Sequence, residues 1–111
     1  MELNVHNIYH LNQEKKFSED EAYNLVNLFL AITPKAKNAI NGLNSRLEYH
    51  KAVPEEADLI QMELNVQIQK WSEKIRRLGG IPLSLYQVKI PANNGFFKWE
   101  FPQADIDFVQ A

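Results

Sequence analysis

The hydrophobic pattern of the chain changes at a pair of glycines, Gly79-Gly80. Before them, apolar residues recur at steps of three and four, which is typical of one face of an α-helix. After them, apolar and polar residues alternate, which is typical of a half-buried β-strand. The sequence therefore predicts an α+β fold, in which a long antiparallel helical hairpin (about 19–49 and 54–78) is followed by a three-stranded antiparallel β-meander (about 86–109) packed on the helices.

The first helix has a clear start. Ser18 is followed three residues later by Glu21, which is the spacing of a capping box. Apolar residues keep their helical spacing on both sides of Pro34, so we predict one helix that is kinked near Thr33-Pro34. The alternative is two helices, with Thr33 as the N-cap of the second and Pro34 at its first position.

The second helix has signals at both ends. Pro54 suits the first helical turn, and the acidic residues that follow it favour the positive end of the helix dipole. Gly79 suits the left-handed conformation that often follows a helix. Only a few residues connect the two helices, so we expect them to be antiparallel neighbours.

Two tight turns are predicted in the last third of the chain. Asn94-Gly95 is a strong signal for a two-residue hairpin turn, and we place the second turn at Pro102-Gln103. In the first hairpin, the predicted partners are Ile90 with Trp99, Val88 with Phe101, and Lys89 with Glu100. In the second, they are Trp99 with Ile106, Phe97 with Phe108, and Lys98 with Asp107. The apolar residues then share one face, and Trp99 lies between the sheet and the helices.

The length of 111 residues fits one domain. We expect residues 17–111 to form it and 1–16 to be an N-terminal extension whose structure the sequence does not define. The lack of cysteine excludes disulfide scaffolds, thiolate zinc sites and thiol nucleophiles, and the net charge of −2 argues against a broad phosphate-binding surface. The chain shows neither a membrane span nor a signal peptide, so we expect a cytoplasmic protein. We also expect no cofactor.

Five short motifs follow one another along the chain in a fixed order. They are Phe17-Ser18-Glu19-Asp20-Glu21-Ala22, Leu78-Gly79, Val88-Lys89-Ile90-Pro91-Ala92, Asn94-Gly95 and Trp99. In this order and spacing, over about residues 17–110, the chain resembles the uncharacterised bacterial family known as domain of unknown function 2203. The resemblance implies a helical hairpin followed by strands. Because the family is uncharacterised, the resemblance does not indicate an activity.

The chain departs from that family near its end. Family members commonly have an arginine after the tryptophan, Gly-Glu in the turn and Trp-His near the end. Here these places hold Glu100, Pro102-Gln103 and Val109-Gln110. Any role of the family's arginine and histidine is therefore absent from this chain.

Two sets of residues could carry chemistry or bind a ligand. His6 and His10 are four residues apart, which is a metal-ligand spacing on a helix, and Glu2 or Glu14 could add a third ligand. The alternative is a surface or structural histidine pair. The second set is a cluster of cations near the end of the second helix. The cations are Lys70, Lys74, Arg76 and Arg77.

This basic cluster has two interpretations. Cations at a helix C-terminus are favoured by the helix dipole, which explains the cluster without a ligand. It could also contact phosphates, which makes weak nucleic-acid binding an alternative function, although we do not expect nucleic acid as the main partner.

A second apolar stripe on the second helix is harder to explain in a monomer. Leu59, Met62 and Val66 are offset from the main apolar face, at the end that a short sheet does not reach. An exposed apolar patch usually marks an interface. We therefore expect a homodimer in which two helical hairpins form a four-helix bundle. One alternative is that residues 1–16 cover the stripe within a single chain. Another is that an unidentified protein partner covers it. The expected function is a non-catalytic interaction or structural module.

Overall fold

The computed structural model describes residues 15–111 and has an α+β architecture, as predicted. Two helices are followed by a four-stranded antiparallel sheet whose strands lie side by side in chain order. The elements are α1 (Glu19–His50), α2 (Pro54–Leu78), β1 (Ile81–Ser84), β2 (Gln87–Ala92), β3 (Gly95–Glu100) and β4 (Asp107–Gln110).

Helix α1 begins at the predicted capping box and continues through its proline. The Ser18 hydroxyl accepts a hydrogen bond from the Glu21 N–H at 3.2 Å, and the Glu21 carboxylate accepts one from the Ser18 N–H at 2.9 Å. The 32 residues of α1 form one helix that includes Pro34, so the alternative of two helices is wrong. Buried Thr33 accepts a hydrogen bond from Trp71 of α2 at this point, which helps to hold the helix across the proline. A kink stays a prediction.

Helix α2 ends where the glycine pair predicts. Gly79 has a φ of 109°, the left-handed conformation that glycine adopts at least cost. Its N–H donates to the carbonyl of Arg76 at 3.0 Å, and the N–H of Gly80 donates to the carbonyl of Ile75 at 3.0 Å. These two bonds satisfy carbonyls that the helix leaves open and direct the chain into the sheet.

The main core lies where the sheet covers the start of α1 and the end of α2. Trp99 is fully buried, its ring lies 5.3 Å from that of Phe29, and its indole N–H donates to the carbonyl of Gln103 at 2.7 Å. The expected position of Trp99 between sheet and helices is therefore confirmed. A second, smaller cluster packs α1 against α2 nearer the hairpin connection. Its buried members are Ile40, Leu43, Ile60 and Leu64.

The expectation of three strands is wrong by one, because β1 precedes the predicted meander. Ile81 and Leu83 of this strand are both exposed, so the strand has no buried face opposite an exposed one. In the sequence, Pro82 argues against a strand. However, β1 lies at the edge of the sheet, where proline is tolerated.

The first hairpin turn is displaced by one residue from its predicted position. Asn93 and Asn94 form it, with Asn94 at a φ of 64°, and Gly95 belongs to β3. A Cβ atom at Gly95 would collide with the carbonyl oxygen of Val109, so a close strand contact requires this glycine. The predicted pairs of this hairpin are therefore wrong. The observed partners are Val88 with Trp99, Lys89 with Lys98, and Ile90 with Phe97.

The register error in this hairpin is two residues, and this explains why the buried face is still as predicted. Side chains alternate between faces with a period of two, so a slip of two changes partners but not faces. Lys89 now lies opposite Lys98, and its ammonium group is 4.5 Å from the ring centre of Phe96.

The second hairpin has the predicted register, but the predicted two-residue turn at Pro102-Gln103 is wrong, because six residues, from Phe101 to Ile106, connect β3 and β4. Phe97 pairs with Phe108, and Lys98 pairs with Asp107. The predicted pair of Trp99 and Ile106 is not part of the ladder, because β4 begins at Asp107.

Candidate interaction surface

The outer face of α2, which points away from α1, carries the predicted apolar stripe. Leu59, Met62 and Val66 are 66%, 63% and 43% exposed. Their spacing of three and four residues places them side by side. Ile60 and Leu64 lie on the opposite side of the helix and are buried against α1. The stripe is therefore accessible in the part of the chain that the structure describes.

The charges of α2 are divided between its two ends. The N-terminal half carries exposed acidic residues, and the C-terminal half carries exposed basic residues. The acids are Glu55, Glu56, Asp58 and Glu63, and the bases are Lys70, Lys74, Arg76 and Arg77. This order suits the helix dipole. It also gives α2 a negative half and a positive half on either side of Val66.

Some of these charges already have contacts within the chain. Glu56 lies 2.7 Å from Nδ1 of His50, and Glu63 accepts a hydrogen bond from the Gln67 amide at 3.0 Å. Glu73, an acid within the basic half, lies 3.8 Å from Arg77. Since all these groups are exposed, the contacts contribute little to stability.

The four predicted phosphate-binding cations do not lie around a single hollow. Lys70 and Lys74, together with Lys35 of α1, line a groove of about 100 Å³ between the helices. Arg76 and Arg77 line a separate cavity of about 650 Å³ beside the Gly79-Gly80 turn, together with Lys15. Nucleic-acid binding through these residues stays a prediction.

The predicted metal site cannot be placed, because His6 and His10 lie outside the described residues. Within residues 15–111, no group of three or more histidine and carboxylate side chains is arranged to hold a metal ion. His50, the histidine in that range, lies in the ion pair with Glu56 at the hairpin connection. Metal-dependent activity therefore stays a prediction.

Tyr86 is an unusual residue that the sequence analysis missed. Its φ is 69°, and its buried hydroxyl has no hydrogen-bond partner among the described residues. Burial raises the pKa of this hydroxyl. Its ring lies 5.9 Å from that of Trp71 and 6.2 Å from that of Phe101, and the Lys37 ammonium group lies 5.8 Å from its centre. Nothing in the local pattern signals a tyrosine with positive φ.

Comparisons with known proteins do not indicate a function, so we infer function from the surface of the protein. No protein-family model, curated protein or solved structure matches the chain. Neither α1 nor α2 is apolar over a length sufficient to cross a lipid bilayer. The apolar stripe of α2 and its flanking charges are the features that a partner could recognise.

Proposed function

We propose that this protein is a non-catalytic interaction module that binds a second copy of itself through the outer face of α2. The observation that carries the proposal is the apolar stripe of Leu59, Met62 and Val66, which lies exposed on one helix face. Single exposed apolar side chains are normal on a protein surface, whereas a contiguous patch usually marks an interface.

The charge distribution favours a second copy over an unrelated partner. A symmetric dimer uses the same patch on both subunits, so the patch must be complementary to itself. Helix α2 meets this condition, because its acidic half matches its own basic half. These three side chains are about half exposed, so completing their burial contributes about 3–5 kcal/mol per copy before the cost of association, given about 1.5–3 kcal/mol for a fully exposed side chain.

Size-exclusion chromatography with light scattering tests the proposal. The wild-type chain at micromolar concentration should give twice the 12.9 kDa mass of one copy. A Val66→Lys variant should give the mass of one copy, because an ammonium group cannot be buried in the interface without a partner.

A matched control separates loss of the interface from a general effect of added charge. Leu83 is also an exposed apolar residue, but it lies on β1. Leu83→Lys should leave the mass unchanged. A wild-type chain that elutes as a single 12.9 kDa species would overturn the proposal.

We also propose that the chain is a divergent relative of domain of unknown function 2203. The observed order of capped helix, second helix and antiparallel strands supports this proposal, as does the glycine that ends α2. A structure of an undisputed family member would test it. A different order of elements there would contradict the relationship.

A further inference from the structure

We infer that the two α2 helices run antiparallel in this dimer, with the acidic half of each against the basic half of the other. The inference rests on the proposed self-association and specifies its geometry. Val66 and Gln67 then lie level with the two-fold axis, where the Val66 side chains of the two copies meet. Leu59 and Met62 of each copy lie level with the C-terminal half of the other α2.

The positions of the charges along α2 carry this inference. Asp58 and Arg76 are eighteen residues apart, which is five full turns at about 3.6 residues per turn, so they lie on the same side of the helix. They are also equally far from residue 67. Across a two-fold axis at residue 67, Asp58 of one copy therefore lies level with Arg76 of the other, at two symmetric contacts.

A second pair of charges obeys the same rule. Glu63 and Lys70 are seven residues apart, which again places them on one side of the helix, and they lie on either side of Val66-Gln67. All four side chains belong to exposed residues. Across the same axis, Glu63 of one copy lies within one residue, or about 1.5 Å, of the level of Lys70 of the other, so opposite charges are close together there as well.

A parallel arrangement would give the opposite result. Each residue would lie level with the same residue of the other copy, so the acidic half of one α2 would lie along the acidic half of the other, and the basic half along the basic half. Like charges at such contacts are unfavourable, and charged pairs at an interface determine orientation and partner choice more than affinity. The division of charge within α2 thus selects the antiparallel dimer.

Charge reversal tests the arrangement. Asp58→Arg and Arg76→Asp should each raise the dissociation constant of the homodimer about tenfold or more, because each places like charges at both symmetric contacts. An equimolar mixture of the two variants should form a heterodimer with near wild-type affinity, since Arg then faces Asp at both contacts. Glu100→Arg, on the exposed side of β3, is the matched control and should not change the constant.

Disulfide formation provides a second measurement that does not depend on affinity. The chain has no cysteine, so each introduced thiol is unique. Val66→Cys should form a disulfide between two copies. Asp58→Cys should not link to itself, because the two thiols would be about 27 Å apart at 1.5 Å per residue. It should link to Arg76→Cys in a mixture.

The outcomes separate this inference from the proposed function. A wild-type dimer whose charge-reversal variants are not rescued by mixing, or in which Asp58→Cys links to its own copy, overturns the antiparallel arrangement and leaves self-association intact. A monomeric wild-type chain overturns both. Far-ultraviolet circular dichroism of each variant confirms that a loss of dimer is not a loss of fold.

Discussion

The hydroxyl of Thr33 accepts a 3.0 Å hydrogen bond from the indole N–H of Trp71, and both side chains are buried. Thr33 directly precedes Pro34, where α1 lacks one backbone N–H donor. The bond therefore joins the two helices beside the position at which α1 lacks a backbone hydrogen bond. It also satisfies an indole N–H that would otherwise be buried without a partner.

We expect Thr33→Val to lower the free energy of unfolding by about 1–3 kcal/mol. Valine has nearly the same shape, so the main change is an unsatisfied N–H on Trp71. Urea denaturation followed by circular dichroism measures the difference. Thr33→Ser keeps the hydroxyl and should lose less. A Thr33→Val variant as stable as wild type would show that the bond makes no net contribution.

Tyr86→Phe should raise the free energy of unfolding by about 1 kcal/mol. The Tyr86 hydroxyl is buried without a partner among the described residues, and burying such a group costs about 1–3 kcal/mol. The aromatic contacts with Trp71 and Phe101 are kept by phenylalanine. The same denaturation experiment checks this. A less stable variant would indicate that the hydroxyl makes a favourable contact.

The stability of the wild-type protein and that of Tyr86→Phe should depend differently on alkaline pH. Burial raises the pKa of Tyr86 above its ordinary value of 10.0. As the pH rises, the unfolded state therefore loses the Tyr86 hydroxyl proton before the folded state does. The stability of the wild-type protein is retained in full below pH 10 and falls as the pH rises through the folded-state pKa of Tyr86. Tyr86→Phe should lack this alkaline loss.

Glu21 provides a stabilising contribution that depends on acid pH. The backbone N–H of Ser18 donates to its carboxylate, and this bond holds the pKa of Glu21 below its ordinary value of 4.5. A lowered folded-state pKa means that the stabilisation is complete above pH 4.5 and is lost as the pH falls through the folded-state value.

Glu21→Ala should therefore be less stable than wild type at pH 7 and should approach wild-type stability at pH 3. Thermal denaturation at several pH values measures this difference. Ser18→Ala should lower stability by about 1 kcal/mol, because it removes the other bond of the capping box. A Glu21→Ala difference that does not depend on pH would contradict the argument.

The parts of the fold that the sequence predicts depend on neighbouring residues. Ser18 and Glu21 satisfy backbone groups within one helical turn, and Gly79 ends α2 by its own backbone conformation. The burial of Trp99 follows from alternation alone, so it survives the two-residue error in register.

The parts that the sequence does not predict depend on distant residues. Thr33 and Trp71 are 38 residues apart, and neither carries a local signal for their bond. The first hairpin turn is displaced because Gly95 packs closely against Val109 of the neighbouring strand. Strand β1 forms through its pairing with β2, whereas Pro82 argues against a strand when the sequence is considered alone.

The candidate interface falls between these cases. The spacing of Leu59, Met62 and Val66 predicts a second apolar face, and the structure shows that this face is exposed. The order of charges along α2 is also visible in sequence. That these charges lie beside the exposed face becomes clear only when the structure shows which face of α2 packs against α1.

Two glycines should respond in opposite ways to a change to alanine. A Cβ atom at Gly80 would lie 2.7 Å from Val88 and 2.9 Å from Ile75, so Gly80→Ala should cost about 1–3 kcal/mol of stability by overpacking. A Cβ atom at Gly42, within α1, has no neighbour within 4 Å. Gly42→Ala should therefore raise stability by about 0.5–1 kcal/mol through helix propensity. Chemical denaturation of both variants measures the contrast, and equal effects would contradict it.

Glu73→Gln should tighten the proposed dimer. In the antiparallel arrangement, Glu73 lies level with the stripe residues Leu59 and Met62 of the other copy, where its carboxylate loses water without gaining a cation from that copy. Removing the charge should lower the dissociation constant about threefold to tenfold. The lost ion pair with Arg77 is exposed and spans 3.8 Å, so it should matter little.

Dilution monitored by light scattering measures this change in the dissociation constant. Glu48→Gln is the matched control, because Glu48 is also an exposed acid in an ion pair, with Lys51 at 3.1 Å, but it lies at the end of α1. It should leave the dissociation constant unchanged. If Glu73→Gln instead weakens the dimer, Glu73 faces a cation of the other copy, and the two helices do not cross near Val66 as inferred.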